Sequence, residues 1–139
     1  MIYIHLKKVD QVSFSVAIED DKVFATGFGI NEKSMLENLL RSLPYGMPFQ
    51  IAEKQNVFSE VLLTTLKAIY DGKDASSDFK LAMGHLSKYS QKVLKCVWHI
   101  PVGYLTSYGA VAKACSGSPR AVGRVMAMNP FAPLIPCHR

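Results

Sequence analysis

The sequence predicts an α/β protein in two parts: a small N-terminal domain with an antiparallel β-sheet plus helices, then an all-helical C-terminal domain containing a helix-turn-helix. Three observations carry this reading. Apolar residues alternate with polar ones through the first thirty positions, the period of half-buried strands. Beyond position 78 the periodicity is helical throughout. The charge changes sign at the same place: all eleven acidic residues lie between Asp10 and Asp78, and residues 79–139 carry bases only.

Taken in order, Ile2, Ile4 and Leu6 mark a first strand and Val12, Phe14, Val16 and Ile18 a second. After the polar turn Glu19-Asp20-Asp21-Lys22, Val23 to Phe28 forms a third, and connections this short predict an antiparallel meander. Asn31 is placed to cap a helix from Glu32 to about Leu43, with Met35, Leu36, Leu39, Leu40 and Leu43 on one stripe. Pro44, Gly46 and Pro48 break it. A second helix is predicted over Val57 to Tyr70, with Phe58, Leu62, Leu66 and Ile69 or Tyr70 inward, stopping at Asp71-Gly72. The polar run Asp74 to Asp78 divides the chain into domains 1–78 and 79–139. Ser90 to His99 reads as a helix with Val93, Leu94, Val97 and Trp98 on one side.

At 139 residues the chain is long enough to bury a real core. No apolar run approaches the roughly 18 residues a membrane helix needs, and the N-terminus lacks a signal-peptide layout. The expected location is therefore cytoplasmic (the nucleoid or nucleus for a protein acting on DNA), with no membrane partner. The charge distribution bears on function more than the net +5 does. Residues 1–78 set eight bases against eleven acids, whereas residues 79–139 hold Lys80, Lys88, Lys92, Lys95, Lys113, Arg120, Arg124 and Arg139 with no acid. A segment at +8 repels itself unless an anion neutralises it, which points to nucleic acid. The three cysteines form no CxxC pair, and His5, His85, His99 and His138 show no metal-ligand spacing. No metal and no cofactor are expected.

Ser107 caps a predicted short helix from Tyr108 to about Cys115, with Val111 and Ala114 toward a core. Ser116-Gly117 turns the chain, and Ser118-Pro119 restarts it with a capping serine and proline at the first helical position. The second helix runs from Pro119 to about Met128, before Asn129-Pro130. Two short helices joined by a glycine-containing turn in a basic region make a helix-turn-helix. Arg120 and Arg124 share a face, and the small residues Ala121, Gly123 and Ala127 allow close approach to a groove. Glycine inside a helix costs roughly 1 kcal/mol against alanine, so Gly123 requires a reason. In the last stretch, Cys137 stands beside His138 and Arg139. Neighbouring positive charge favours the thiolate, which is the nucleophile, and Pro133 and Pro136 stiffen the approach to it.

The order IPVGYLTSYGAVA, SPRAVG, MNP and LIPCHR resembles the C-terminal domain of the O6-alkylguanine-DNA alkyltransferases over Tyr89 to Arg139. The first 78 residues are similar to that family in layout alone. The resemblance implies single-turnover DNA repair, in which Cys137 irreversibly accepts the alkyl group as a methylated-DNA–protein-cysteine methyltransferase does. It implies that His138 maintains the thiolate through a water, that Tyr108 contacts the flipped guanine, and that Arg120 fills the space the base leaves. Asn129 is implied to tie the active-site turn to the helix-turn-helix. Ser90, Gly109 and Ser118 would touch the DNA backbone, with Ala121, Gly123 and Arg124 on the helix facing the minor groove. The implied partner is double-stranded DNA containing O6-alkylguanine, bound by a monomer.

Two departures from the family pattern qualify what is expected. Members continue past PCHR into a glycine-rich loop, a helix and a glutamate that orients the histidine, whereas no acid follows Asp78 here. A chain ending at Arg139 is expected to bind DNA but transfer alkyl groups poorly. Arg124 stands where many members have glycine and is expected to add a phosphate contact. Cys96 and Cys115 are expected to pack between helices. The competing readings are a binding-only lesion-recognition protein or regulator, in which Cys137 would have no purpose, and a thiol hydrolase, which leaves the SPRAVG helix unexplained.

Overall fold

The computed structural model describes residues 1–73, 79–99, 107–132 and 134–135. Three eight-residue strands, β1 (Ile2–Val9), β2 (Val12–Glu19) and β3 (Lys22–Gly29), form the antiparallel meander that the alternation predicts. Each hairpin turns on an aspartate at positive φ, Asp10 and Asp20, a conformation aspartate tolerates better than most residues. The sheet is not antiparallel throughout. Two short edge strands, β4 (Phe49–Ile51) and β5 (Lys80–Leu81), run parallel to β1 and β3, giving the order β4-β1-β2-β3-β5. Strands of three and two residues are too short to show a period, so sequence pattern missed both. β5 follows the polar run expected to divide the chain, so the sheet draws on residues from either side of it.

Helix α1 (Glu32–Arg41) is capped by Asn31, whose side-chain oxygen accepts from Ser34 N at 3.1 Å. It ends two residues before the expected Leu43, at a Ser42 cap, and buries Met35 and Leu39 while Leu40 stays exposed. Helix α2 (Val57–Tyr70) carries a reciprocal capping box between Asn56 and Ser59 and buries Leu62, Leu63 and Leu66. The two helices cover opposite faces of the sheet. On the α1 face lie Ile2, Ile4, Ala17 and Ala25 with Leu39. On the other, Phe14, Val16, Ile18 and Val23 meet α2 and a second set of helices. That set is α3 (Lys88–Trp98), α4 (Tyr108–Cys115) and α5 (Pro119–Ala127). Helix α3 begins before the expected Ser90, because Ser87 supplies the cap.

One apolar core therefore joins sheet and helices. It contains Val93, Leu94 and Val97 of α3, Val111, Ala112 and Cys115 of α4, Val122 and Met126 of α5, and Phe131, Leu134 and Ile135 beyond it. Ala114, expected inward, is exposed; the buried stripe of α4 runs through Val111, Ala112 and Cys115, the i, i+1, i+4 set that faces α3 and α5. Among the described residues no helix is long and apolar enough to cross a membrane.

His5 is 3% exposed, and its Nδ1 lies 3.0 Å from Gln55 Oε1. Gln55 in turn donates to the Leu6 carbonyl and accepts from Ser59, linking β1 to the start of α2. Burial pushes the imidazole pKa below its ordinary 6.5, against a smaller opposing effect of the Gln55 hydrogen bond. His85 is shifted the same way by burial. An unfolded chain then binds more protons than the folded one below pH 6.5. Stability should fall as pH drops through that value and level off below the folded pKa. Urea titrations across pH 5 to 8 check this, and His5→Gln should flatten part of the slope.

Candidate nucleic-acid interface

The helix-turn-helix is built from two serine caps and one strained turn. Ser107 Oγ accepts from Ala110 N and Ser118 Oγ accepts from Ala121 N, both at 3.1 Å, so each helix start satisfies an otherwise orphaned amide. Pro119 occupies the first turn of α5. Between the helices Ser116 and Gly117 adopt φ of 63° and 114°. The side chain of Tyr89 on α3 lies directly beneath this turn. A Cβ on Gly117 would sit 2.9 Å from the Tyr89 ring carbon Cζ, so glycine is demanded by packing as well as by φ. The Tyr89 hydroxyl is buried there without a hydrogen-bond partner.

Gly123, inside α5, has a local reason too. A Cβ on Gly123 would stand 3.3 Å from Cε2 of Tyr108, so the aromatic ring of α4 lies against the bare backbone of α5. This contact places Tyr108, 42% exposed, beside α5 at its outer surface. The sequence signal for Gly123 was its cost in a helix; the contact that offsets it is with Tyr108. Gly109, by contrast, has only ordinary contacts around it.

Helix α5 turns Val122 and Met126 into the core and leaves Arg120, Arg124 and Ala127 exposed on the opposite side, with Ala121 and Gly123 half-buried at its margins. Within the basic segment, Lys80 pairs with Asp21 at 2.8 Å. Among the described residues no other base of that segment has an ion pair. The positive charge of Lys88, Lys92, Lys95, Lys113, Arg120 and Arg124 is therefore open to an external anion. Ser90 accepts no such simple role: its amide and hydroxyl both bond Ser87 Oγ in the cap of α3, and it is half buried.

Asn129 stands at the exit of α5. Its Oδ1 accepts from Phe131 N at 2.9 Å and its Nδ2 donates to the Ile135 carbonyl. The Ile135 amide closes back on Phe131 O at 2.8 Å, and Phe131, Leu134 and Ile135 are buried. From the sheet side, Thr26 of β3 holds the same segment twice, its amide donating to Pro130 O at 2.8 Å and its hydroxyl to Ala132 O at 2.9 Å. Thr26 escaped sequence reasoning because it looks like any strand threonine; only the fold brings it against residues more than a hundred positions away. A groove of about 760 Å³ lies beside this segment, lined by Ser90, Arg124 and Asn129 together with Arg41, His85 and Met35. Cys137 and His138 lie outside the described residues, as do Pro133, Pro136 and the run 74–78.

Residues 88–139 match the family described as the DNA-binding domain of 6-O-methylguanine DNA methyltransferase. A methylated-DNA–protein-cysteine methyltransferase of Pyrococcus furiosus is 27% identical over 129 residues, 88% of this chain and 73% of that protein. One of Methanothermobacter thermautotrophicus is 37% identical over 79 residues, 56% of this chain and 45% of its own length. The chain thus spans less than half of the second relative. In fold, it is similar to the Mycobacterium tuberculosis OGT solved in complex with DNA, with a TM-score of 0.72 and 23% identity over 97% of this chain and 76% of that one.

Loss of the Asn129 clamp should be felt in stability. Asn129→Ala removes two hydrogen bonds within a largely buried segment and should destabilise by about 2 kcal/mol in urea unfolding. A change within about 0.5 kcal/mol, the usual effect of a surface substitution, would show that the packing of Phe131 and Ile135 holds the segment alone.

Proposed function

We propose that this chain, whose residues 88–139 match the DNA-binding domain of 6-O-methylguanine DNA methyltransferase, repairs O6-alkylguanine in duplex DNA by direct alkyl transfer to Cys137. The observation that carries the proposal is the Asn129 clamp. The residue that closes α5 also hydrogen-bonds the carbonyl of Ile135, two positions before Cys137. A helix suited to DNA and the approach to a reactive-cysteine signature are thereby tied into one rigid piece.

The reaction follows from the location of the lesion. An alkyl group on guanine O6 cannot be reached inside a duplex, so the nucleotide must be rotated out, at a cost of a few kcal/mol. Arg120, exposed on the first turn of α5, is positioned on its helix to enter the vacated stack and offset part of that cost. Tyr108, held against Gly123, presents a phenol at the surface where an extruded base would pass. The Cys137 thiolate, kept deprotonated by His138 through a water, attacks the alkyl carbon. The carbon–sulfur bond forms as the carbon–oxygen bond breaks, the electron pair stays with the guanine as its C6 carbonyl is restored, and a ring nitrogen takes up a proton, Tyr108 helping to neutralise the leaving base. The product thioether has no route to hydrolysis here, so each molecule acts once. We assign the unpaired bases of the 79–139 domain, Arg124 among them, to phosphate contacts, with Gly109, Ser118 and Ala121 at the backbone of the DNA and the protein acting as a monomer.

Intact mass measurement after incubation with a duplex carrying O6-methylguanine tests the proposal. The protein should gain one methyl in place of a hydrogen, at a stoichiometry of one, and Cys137→Ala should remain unmodified while still binding the DNA. Binding of the lesion with no gain in mass, in a version extended past PCHR by the loop, helix and glutamate of family members, would establish a recognition protein in place of a transferase.

A further inference from the structure

The described residues contain two thiols that the proposed alkyl transfer does not use. Cys115 ends α4, is 4% exposed, and its thiol donates to the Lys92 carbonyl of α3 at 3.7 Å. Lys92 and Cys96 are four residues apart on α3 and so lie on the same face. Cys96 is half buried against the same core. The Cys115 thiol therefore lies against the turn of α3 that runs from Lys92 to Cys96, and burial first, then the neighbouring Cys96 thiol, push its pKa up. Among the described residues no third histidine, cysteine, aspartate or glutamate joins them, so the pair lacks the ligand count of a structural zinc.

We propose that Cys96 and Cys115 are a redox pair that closes an α3–α4 disulfide and staples the first helix of the helix-turn-helix to the core. The oxidant is a peroxide, and exposure sets the order of events. Cys96, the more accessible sulfur, attacks the peroxide oxygen as its thiolate, giving a sulfenic acid and releasing water or an alcohol. The Cys115 sulfur then attacks the Cys96 sulfur. The sulfur–sulfur bond forms, the sulfur–oxygen bond breaks, and the hydroxyl leaves as water with the Cys115 proton. Two thiols lose two electrons, which reduce one peroxide, and an external dithiol reverses the exchange. Cys115 Sγ sits at the carbonyl one turn before Cys96, which puts the two thiols on neighbouring turns of a shared helix interface. The bond encloses residues 96–115, most of the path between two helices, and so removes freedom from the unfolded chain.

The full chain, treated with hydrogen peroxide, unfolded in urea with iodoacetamide and digested, supplies the test by peptide mass. A Cys96–Cys115 peptide pair two hydrogens lighter than its parts, separated by dithiothreitol, is the expected product. The oxidised protein should melt about 5 °C or more above the reduced one, and that gain should be absent in Cys96→Ser, a substitution at a half-exposed position. Should Cys96→Ser fail to fold, Cys96→Ala with the same readout replaces it, and peptide mapping of the unsubstituted chain stands without either. Iodoacetamide on both sulfurs after oxidation, linkage of either to Cys137 or between molecules, or a linked pair with no gain in melting temperature would each overturn the proposal. No DNA enters the experiment, so its outcome is independent of the alkyl-transfer reading.

Discussion

The clamp around Pro130 to Ile135 is the constraint on which the rest of this structure depends. Thr26 reaches it from the sheet with two hydrogen bonds, and Asn129 reaches it from the end of α5 with two more. Phe131 and Ile135 are fully buried in the core shared by sheet and helices. A segment held from both sides is fixed relative to both, and through it the sheet, the helix-turn-helix and the chain entering PCHR share one frame. Each hydrogen bond is worth about 1 kcal/mol net. Burial of two large apolar side chains adds roughly 1.5–3 kcal/mol each. The four hydrogen bonds and the two buried side chains therefore contribute comparable amounts, and the hydrogen bonds also choose the path of the segment.

The same logic explains the charge distribution. The acids stay in the first part of the chain, and the one ion pair that joins the two charge zones among the described residues is Lys80 with Asp21, at the edge of the sheet. The remaining bases on α3, α4 and α5 are left unpaired, which costs stability through self-repulsion and is compensated when an anionic surface docks. A polyanion contributes affinity through released counterions without needing a shaped pocket.

Much of the fold was legible because its signals are local. Alternation marked β1 to β3, and asparagine and serine caps marked the helices, with α2 matching its expected bounds. The paired Ser118-Pro119 start of α5 needed no tertiary information. What escaped was whatever depends on distant partners. β4 and β5 are too short for periodicity, Ala114 and Cys115 differ by one position on a narrow helix face, and Thr26 acquires its role only when β3 meets residues 130–132. Gly123 was recognisable as anomalous, but its Tyr108 partner was not. In the candidate site, the exposed side of α5 with Arg120 and Arg124 could be read from residue types and spacing, whereas Cys137 and His138 rest on their motif alone. The cap hydrogen bond of Ser118 was visible as a capping pattern, whereas that of Ser90 with Ser87 was not, and both compete with the direct DNA contacts expected of these serines.

Native-state hydrogen exchange at the clamp tests the central claim most directly. If the segment is fixed to both sheet and helices, the amides of Phe131 and Ile135 should exchange as slowly as those of the central strand β2, opening only with the whole molecule. Rapid exchange of Phe131 and Ile135 while β2 remains protected would mean that the approach to Cys137 opens independently of the sheet, contradicting the account.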